Sequence, residues 1–186
     1  LRCLVGSEMC IRDRLKAVVD RKVPLVPTFT FQANLADFGA AIGSDENLRE
    51  VFRAEITESV GTLRAAFDAG VPLATGSESG FSLTPYGDWH YRELQVFVED
   101  LGMTPLQAIN SATEQGARAL KLEGELGCIK PDYLADILIF DGEPETHITQ
   151  LGDADRFRHI IKGGQLIDTS TPLPRDCLLY TSPSPR

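Results

Sequence analysis

Two short apolar runs, separated by one long amphipathic stretch, constrain the fold more than any other feature of the sequence. The first run, KVPLVPTFTF at residues 22–31, combines β-branched and aromatic residues without a helical period, and VPLAT at residues 71–75 has the same character. We interpret both runs as buried strands. Pro24 is expected at the start of the first strand and Pro27 near its end, where a missing amide hydrogen does least harm.

The stretch between the two runs has the 3.6-residue period of a helix with one apolar face. The apolar positions on that face are Leu48, Val51, Phe52, Ile56, Val60, Leu63 and Phe67. Ser44 is the predicted N-cap, with Asp45 and Glu46 in the first turn, where the helix dipole favours acids. Gly70 is the predicted left-handed residue after the helix. Strand, helix and strand in this order predict a βαβ unit with parallel strands.

More helix, and then β structure, is predicted after this unit. Leu94, Phe97 and Leu101 mark one helical face, and TPLQA at residues 104–108 has the composition of a capping box that opens a further helix. Beyond residue 121 the helical periodicity gives way to short β-rich runs. One of them is RHIIKGGQLID, where a glycine pair predicts a hairpin turn. We therefore predict an α/β region over residues 15–121 and a small all-β region over residues 122–175.

The charge balance narrows the classes of partner. The chain has a net charge of −9 and a pI near 4.8, which repels phosphate backbones and anionic lipid surfaces. No apolar run reaches the roughly 18 residues that a membrane span needs. We predict a small-molecule ligand, no nucleic-acid partner and no membrane partner, and we leave homo-oligomerisation open.

The two ends of the chain differ from its body. Residues 1–14 and 176–186 show neither helical nor strand periodicity and resemble translated sequencing-adapter read-through, so we expect them to be foreign to the fold. A genuine disulfide-bonded extension is the alternative, because three of the four cysteines lie in these tails. The body has one cysteine, Cys128, which fits a reducing cytoplasm. A signal peptide cannot be judged, because the true N-terminus is expected to be missing.

Several segments of the body come in the order and spacing of a known family. VPTFT, GVPLATGSESG, MTPLQAINSATEQGARAL, GELGCIKPDYLADILIFDGEP and IIKGGQLID together resemble the carboxyl-terminal part of the metal-dependent amidohydrolase superfamily, in particular its imidazolonepropionase-like members. The resemblance implies the last part of a (β/α)₈ barrel, with residues 23–31 and 71–75 as strands seven and eight, and part of a small β-sandwich. Eight βα units need about 250 residues, so we expect about six units upstream.

The resemblance also implies a site at the end of strand eight. The family usually reads Gly-Thr-Asp there, and its aspartate binds the metal and accepts the proton of water; this sequence has Gly76, Ser77 and Glu78. Glu78 is thus the predicted catalytic and metal-binding residue. The metal implied is zinc, with manganese or iron as alternatives, held mainly by residues outside this chain. Glu78 could instead support the site without touching the metal, contact the substrate, or have no chemical role.

Three further residues are candidates for substrate contact. His90 and Trp89 lie in TPYGDWHYREL, on the loop that follows strand eight, and Thr28 lies at the end of strand seven. Active sites of barrel enzymes form at this face. The alternatives are an aromatic cluster that packs the loop and a plain strand end.

These expectations lead to two hypotheses about function. The first is a fragment of a hydrolase that cleaves carbon–nitrogen bonds other than ordinary peptide bonds, in cyclic or linear amides, by metal-activated water. We expect this fragment to be inactive alone. The second is a non-catalytic binding protein of the same fold that lost its metal site when the acid at Glu78 changed.

Overall fold

The computed structural model describes residues 16–81, 83–87 and 89–170. The helices are α1 (Phe29–Phe38), α2 (Glu46–Asp68), α3 (His90–Glu99), α4 (Pro105–Ala112) and α5 (Glu114–Ala119), and residues 16–20 are helical as well. The strands are β1 (Ile137–Phe140), β2 (Phe157–Lys162) and β3 (Gln165–Leu166), and short 3₁₀ turns cover Gly39–Ile42, Ile148–Gly152 and Ala154–Arg156. The prediction of foreign tails at residues 1–14 and 176–186 concerns sequence outside the described residues.

The two predicted strands lie side by side and run parallel. The Leu25 amide donates to Pro72 O at 2.9 Å, and the Ala74 amide donates to Leu25 O at 2.8 Å, which makes a parallel bridge between Leu25 and Leu73. We call residues 22–27 the first strand segment and residues 71–75 the second strand segment. Their parallel pairing supports the predicted βαβ arrangement, although it is limited to this one bridge. The first segment is not buried as predicted, because Val23 is 45% exposed and Val26 is 47% exposed.

The prediction that residues 29–31 extend the first strand is wrong. The chain turns at Thr28, which has a left-handed backbone (φ 59), and the next residue, Phe29, begins α1. Pro27 cannot donate to a ladder, and the amide of Thr30 donates to the side chain of Glu93 from α3 instead. A side chain remote in sequence thereby decides the boundary between strand and helix.

Helix α2 ends as predicted but begins one residue later. Asp45, not Ser44, is the N-cap, because its carboxylate accepts a hydrogen bond of 2.7 Å from the Asn47 amide. At the other end Gly70 has the expected left-handed backbone (φ 88). Val51 near the start of the helix remains 51% exposed, whereas Phe67 near its end packs against the core.

Helix α3 and the segment that joins it to α4 provide much of the core. The capping box of α4 is present: the Gln107 amide donates to Thr104 Oγ1 at 3.3 Å, and the Thr104 amide donates to Gln107 Oε1 at 2.8 Å. The largest buried apolar side chains are Phe29, Leu35, Val71, Leu73, Leu94, Val96, Phe97, Leu101, Met103 and Ile148. Since Ile148 follows β1, the carboxyl-terminal region shares this core with the helices.

The carboxyl-terminal region, predicted to be all β, forms one antiparallel sheet in the order β1-β2-β3, with two 3₁₀ turns between β1 and β2. The predicted hairpin is confirmed: Lys162 pairs with Gln165, and Gly163 and Gly164 both have positive φ. Asp136 braces this turn, because it pairs with Lys162 and accepts a 2.7 Å hydrogen bond from the Gly163 amide. Leu138 of β1 is 59% exposed, and a second sheet of the predicted sandwich is not formed by the residues that the structure describes.

Within the described ranges, no helix is both long enough and apolar enough to cross a membrane. The described residues contain both helices and strands, as in a mixed α/β protein. The helices pack beside a parallel strand pair, and an antiparallel sheet lies towards the carboxyl terminus.

Candidate active site

The ends of the two strand segments touch at Gly76. A Cβ atom at this position would lie 2.6 Å from both Thr28 Cγ2 and Val26 Cγ1, much closer than carbon atoms can approach. The backbone φ of Gly76 is not positive, so the glycine is required by this close approach and not by its conformation. The contact places the predicted residue Thr28 beside the start of the loop that carries Glu78.

Glu78 lies two residues beyond this contact and is exposed. Its backbone is left-handed (φ 51), which is uncommon for a residue with a long side chain. Its own carbonyl oxygen accepts a hydrogen bond of 3.1 Å from Thr84 Oγ1. The Glu78 side chain is thus accessible to a small molecule, while the backbone that carries it is held from one side.

Two serines next to Glu78 connect the loop to the following helix. Ser77 Oγ lies 2.7 Å from Ser79 Oγ and 3.1 Å from His90 Nδ1. His90 is exposed and is the first residue of α3. The structure therefore brings the start of α3, at His90, to the residue immediately before Glu78, so that two of the predicted site residues lie near each other.

Trp89 belongs to an aromatic cluster. Its ring stacks with Tyr91 at a centroid distance of 5.9 Å and an interplanar angle of 21°, and lies 5.2 Å from the ring of Phe38 in α1. It is half-buried and has a left-handed backbone (φ 65) at the start of α3. These contacts favour the alternative in which Trp89 packs the loop against α1, and a substrate contact stays a prediction.

Thr28 makes a local bond. Its Oγ1 donates to Pro27 O at 2.7 Å, and its side chain is half-buried against Gly76. The geometry makes it the turn residue between the first strand segment and α1. A contact of Thr28 with substrate also stays a prediction.

Glu93 is a polar residue of this region that the sequence analysis missed. It is fully buried, and its Oε2 accepts hydrogen bonds from the Thr30 amide at 2.8 Å and from Thr30 Oγ1 at 2.9 Å. Burial raises the pKa of the Glu93 carboxyl to about 7, although the hydrogen bond from Thr30 acts in the opposite direction. A signal was present, because Glu93 precedes Phe97 and Leu101 at four-residue intervals on an otherwise apolar helix face.

A scan against protein-family models matches residues 10–167 to the amidohydrolase family. The chain belongs to the amidohydrolase family. Among curated proteins it is 33% identical to the imidazolonepropionase of Rhodococcus jostii over 103 residues, which are 55% of this chain and 25% of that protein. It is also 33% identical to the ochratoxinase of Aspergillus niger over 104 residues, which are 55% of this chain and 21% of that protein. The matched segment thus spans about a quarter of each relative's length.

Solved structures agree with this assignment. The crystal structure of A. niger ochratoxinase superposes with a TM-score of 0.65 at 25% identity, covering 86% of this chain and 35% of that one. A Xaa-Pro dipeptidase with bound methionine in its active site gives a TM-score of 0.64 at 26% identity, covering 84% of this chain and 37% of that one. These likenesses confirm the resemblance to amidohydrolases and support an α/β fold related to the barrel family.

Amidohydrolases generally depend on a metal, which is bound by nitrogen, oxygen or sulfur atoms of side chains. A protein zinc site usually takes three or four ligands. In residues 16–81, 83–87 and 89–170, no group of three or more His, Cys, Asp or Glu side chains could hold an ion. The described residues therefore do not by themselves fit a metal site, and Glu78 offers one exposed carboxylate.

Proposed function

We propose that the chain is the carboxyl-terminal part of an amidohydrolase that hydrolyses carbon–nitrogen bonds other than ordinary peptide bonds. Family membership supports this proposal, as does its similarity to proteins named imidazolonepropionase, ochratoxinase and Xaa-Pro dipeptidase. One observation supports a catalytic role for this part of the protein. An exposed carboxylate, Glu78, follows the carboxyl end of a parallel strand, where α/β enzymes assemble their active sites.

In this proposal Glu78 is the general base. It accepts a proton from the water molecule that attacks the amide carbon, and the proton then passes to the nitrogen as the carbon–nitrogen bond breaks. A carboxylate oxygen within hydrogen-bond reach of water is a suitable acceptor for that proton. Glutamate replaces a shorter aspartate in the family pattern, so the backbone must place the longer side chain to compensate.

The proposal includes a divalent metal, with zinc as the first expectation, as a property of the complete protein. Glu78 would offer it one oxygen, and the remaining ligands would come from outside the described residues. We further propose a small-molecule substrate and a cytoplasmic location. We also propose that the protein has no nucleic-acid partner, since its net charge of −9 repels a phosphate backbone.

The test uses the full-length protein and three classes of amide: N-acyl amino acids, dipeptides that end in proline, and five-membered cyclic amides of the imidazolone type. Release of the free amine, or opening of the ring, is followed after each amide is added. Turnover of at least one class is expected. If the folded protein binds one of these amides saturably but converts none, the alternative of a non-catalytic binding protein replaces the proposal.

A further inference from the structure

The loop that carries Glu78 is closed by a buried threonine. We define the strand-end loop as residues 76–81, 83 and 84. Thr84 is 1% exposed, and its Oγ1 lies 3.1 Å from Glu78 O and 3.2 Å from Phe81 O. Its backbone also closes the turn, because the Gly80 amide donates to Thr84 O at 2.9 Å and the Thr84 amide donates to Phe81 O at 3.1 Å. One side chain thus holds the carbonyl of the proposed base.

A second buried residue fixes the same loop to α1. Asn34 is 0% exposed, and its Nδ2 donates to Leu83 O at 2.7 Å. Leu83 has a left-handed backbone (φ 66), so its carbonyl direction depends on this support. Asn34 lies one helical turn after Thr30, the residue that Glu93 holds from α3. The loop is therefore tied to the part of α1 that α3 already fixes.

Glu78 needs such support for a physical reason. A left-handed backbone is unfavourable for a residue other than glycine, and it persists where surrounding contacts impose it. Within the described residues the Glu78 carboxylate accepts no hydrogen bond, so its direction depends on the backbone. A change of that backbone would move the carboxylate directly.

We propose that Thr84 and Asn34 are positioning residues for Glu78, acting by hydrogen bonds to the carbonyl groups of Glu78 and Leu83. The proposal rests on the proposed function for its catalytic part and on the loop geometry for its structural part. Misplacing a reacting group by about 1 Å can cost on the order of 10²-fold in rate. Loss of either bond therefore lowers kcat and leaves KM little changed.

The experiment compares two substitutions of Thr84 in the full-length protein. Thr84→Val has nearly the same shape but no hydroxyl, and Thr84→Ser keeps the hydroxyl. Thr57→Val is the matched control, because Thr57 Oγ1 donates to Arg53 O at 2.8 Å on the exposed side of α2, away from the loop. Hydrogen–deuterium exchange is measured for a peptide of residues 76–84 and for a reference peptide of residues 105–119, together with kcat and KM.

We expect Thr84→Val to speed exchange in the loop peptide at least about tenfold, with the reference peptide unchanged, and to lower kcat about 10- to 100-fold. Thr84→Ser and Thr57→Val should retain both properties. In a Glu78→Gln background, Thr84→Val should cause little further loss, because both changes act on one group. Asn34→Leu, which removes the amide donor without burying a charge, should reproduce the effects of Thr84→Val and provides the test if Thr84→Val does not fold.

Two results would overturn the inference: unchanged exchange in the loop peptide, or faster exchange with an unchanged kcat. If wild-type protein converts no amide, the proposed function fails by itself. The exchange data then still decide whether Thr84 and Asn34 hold the loop.

Discussion

The chain leaves its two parallel strand segments in different ways. Each strand is followed by a left-handed residue with a side chain, Thr28 after the first and Glu78 after the second. After Thr28 the chain enters α1 immediately and is buried, with Thr30 held by the carboxylate of Glu93. After the second segment the chain makes an irregular loop, held through Thr84, in which Glu78 is exposed.

We expect the two strand ends to have different roles, one in the stability of the fold and the other in the proposed chemistry. The buried junction, at Thr28 and Thr30, is held by the Glu93 carboxyl, which is fully buried and has a pKa raised to about 7, so we expect it to act on stability. The exposed junction, at Gly76 to Glu78, carries the exposed side chain of Glu78, which we propose acts on the substrate. Substitutions at the two junctions should therefore have opposite signatures: unfolding at the first and loss of activity with an intact fold at the second.

The largest effect is expected at the exposed junction. Glu78→Gln keeps the size of the side chain but removes its charge and its basic oxygen. In the full-length protein kcat/KM should fall by about 10²- to 10⁴-fold, the range for losing a positioned general base, with the free energy of unfolding nearly unchanged. Steady-state kinetics and chemical denaturation check the two parts. Wild-type kcat/KM in this variant would remove Glu78 from the mechanism.

Glu78→Asp sharpens the same test. If the loop positions the longer side chain, shortening it will lower kcat/KM; if the site still accepts the usual family residue, aspartate will retain or raise kcat/KM. We expect a loss, because Thr84 fixes the backbone in its present place.

The buried junction should give the next largest effect, and it should depend on pH. The folded state binds the Glu93 proton more tightly than the unfolded state, with a pKa of about 7 against 4.5. This contribution is complete below pH 4.5 and is lost as the pH rises through 7. Relative to Glu93→Gln, the wild type should lose about 3 kcal/mol of unfolding free energy over this range, by order of magnitude.

Urea denaturation of both proteins between pH 4.5 and 8 measures this difference. Glu99→Gln, on the exposed side of α3, controls for the loss of one negative charge from the same helix. A difference between wild type and Glu93→Gln that stays constant with pH would contradict the role assigned to Glu93.

The contact between the junctions can be tested with a pair of glycines. Gly76→Ala forces a methyl group to within 2.6 Å of Thr28 and Val26, so we expect a destabilisation of about 1–3 kcal/mol. Gly61→Ala is the matched control, since a Cβ there meets nothing within 4 Å in the middle of α2, and it should stabilise by about 0.5–1 kcal/mol. Equal effects of the two substitutions on the midpoint of thermal unfolding would contradict the close approach.

The smallest effect is expected away from both junctions. Thr104→Ala removes the side chain that accepts the Gln107 amide at the start of α4 and should destabilise by about 1 kcal/mol, with an unchanged kcat/KM. Thr104→Ser, which keeps the cap, should be neutral in the same denaturation experiment. A loss of kcat/KM in Thr104→Ala at full folding would show that the site extends beyond the two junctions.

Elements that depend on neighbouring residues were predictable from sequence. The capping box at Thr104 and Gln107, the glycine hairpin at Gly163 and Gly164, and the end of α2 at Gly70 all match the structure. Their hydrogen bonds close within a few residues, so local composition specifies them. The N-cap of α2 moved from Ser44 to Asp45 because adjacent residues were both suitable caps and sequence does not rank them.

The sequence by itself determined that Glu78 follows an apolar strand, that parallel strands flank a long helix, and that the family is the amidohydrolases. Tertiary structure decided where the first strand ends, because the Thr30 amide donates a hydrogen bond to the side chain of Glu93, 63 residues away in the sequence. It also decided that Asn34 and Thr84 support the loop of Glu78. Such bonds join residues far apart in the chain, and side-chain patterns with periods of two or 3.6 residues carry no information about which distant donor meets which acceptor.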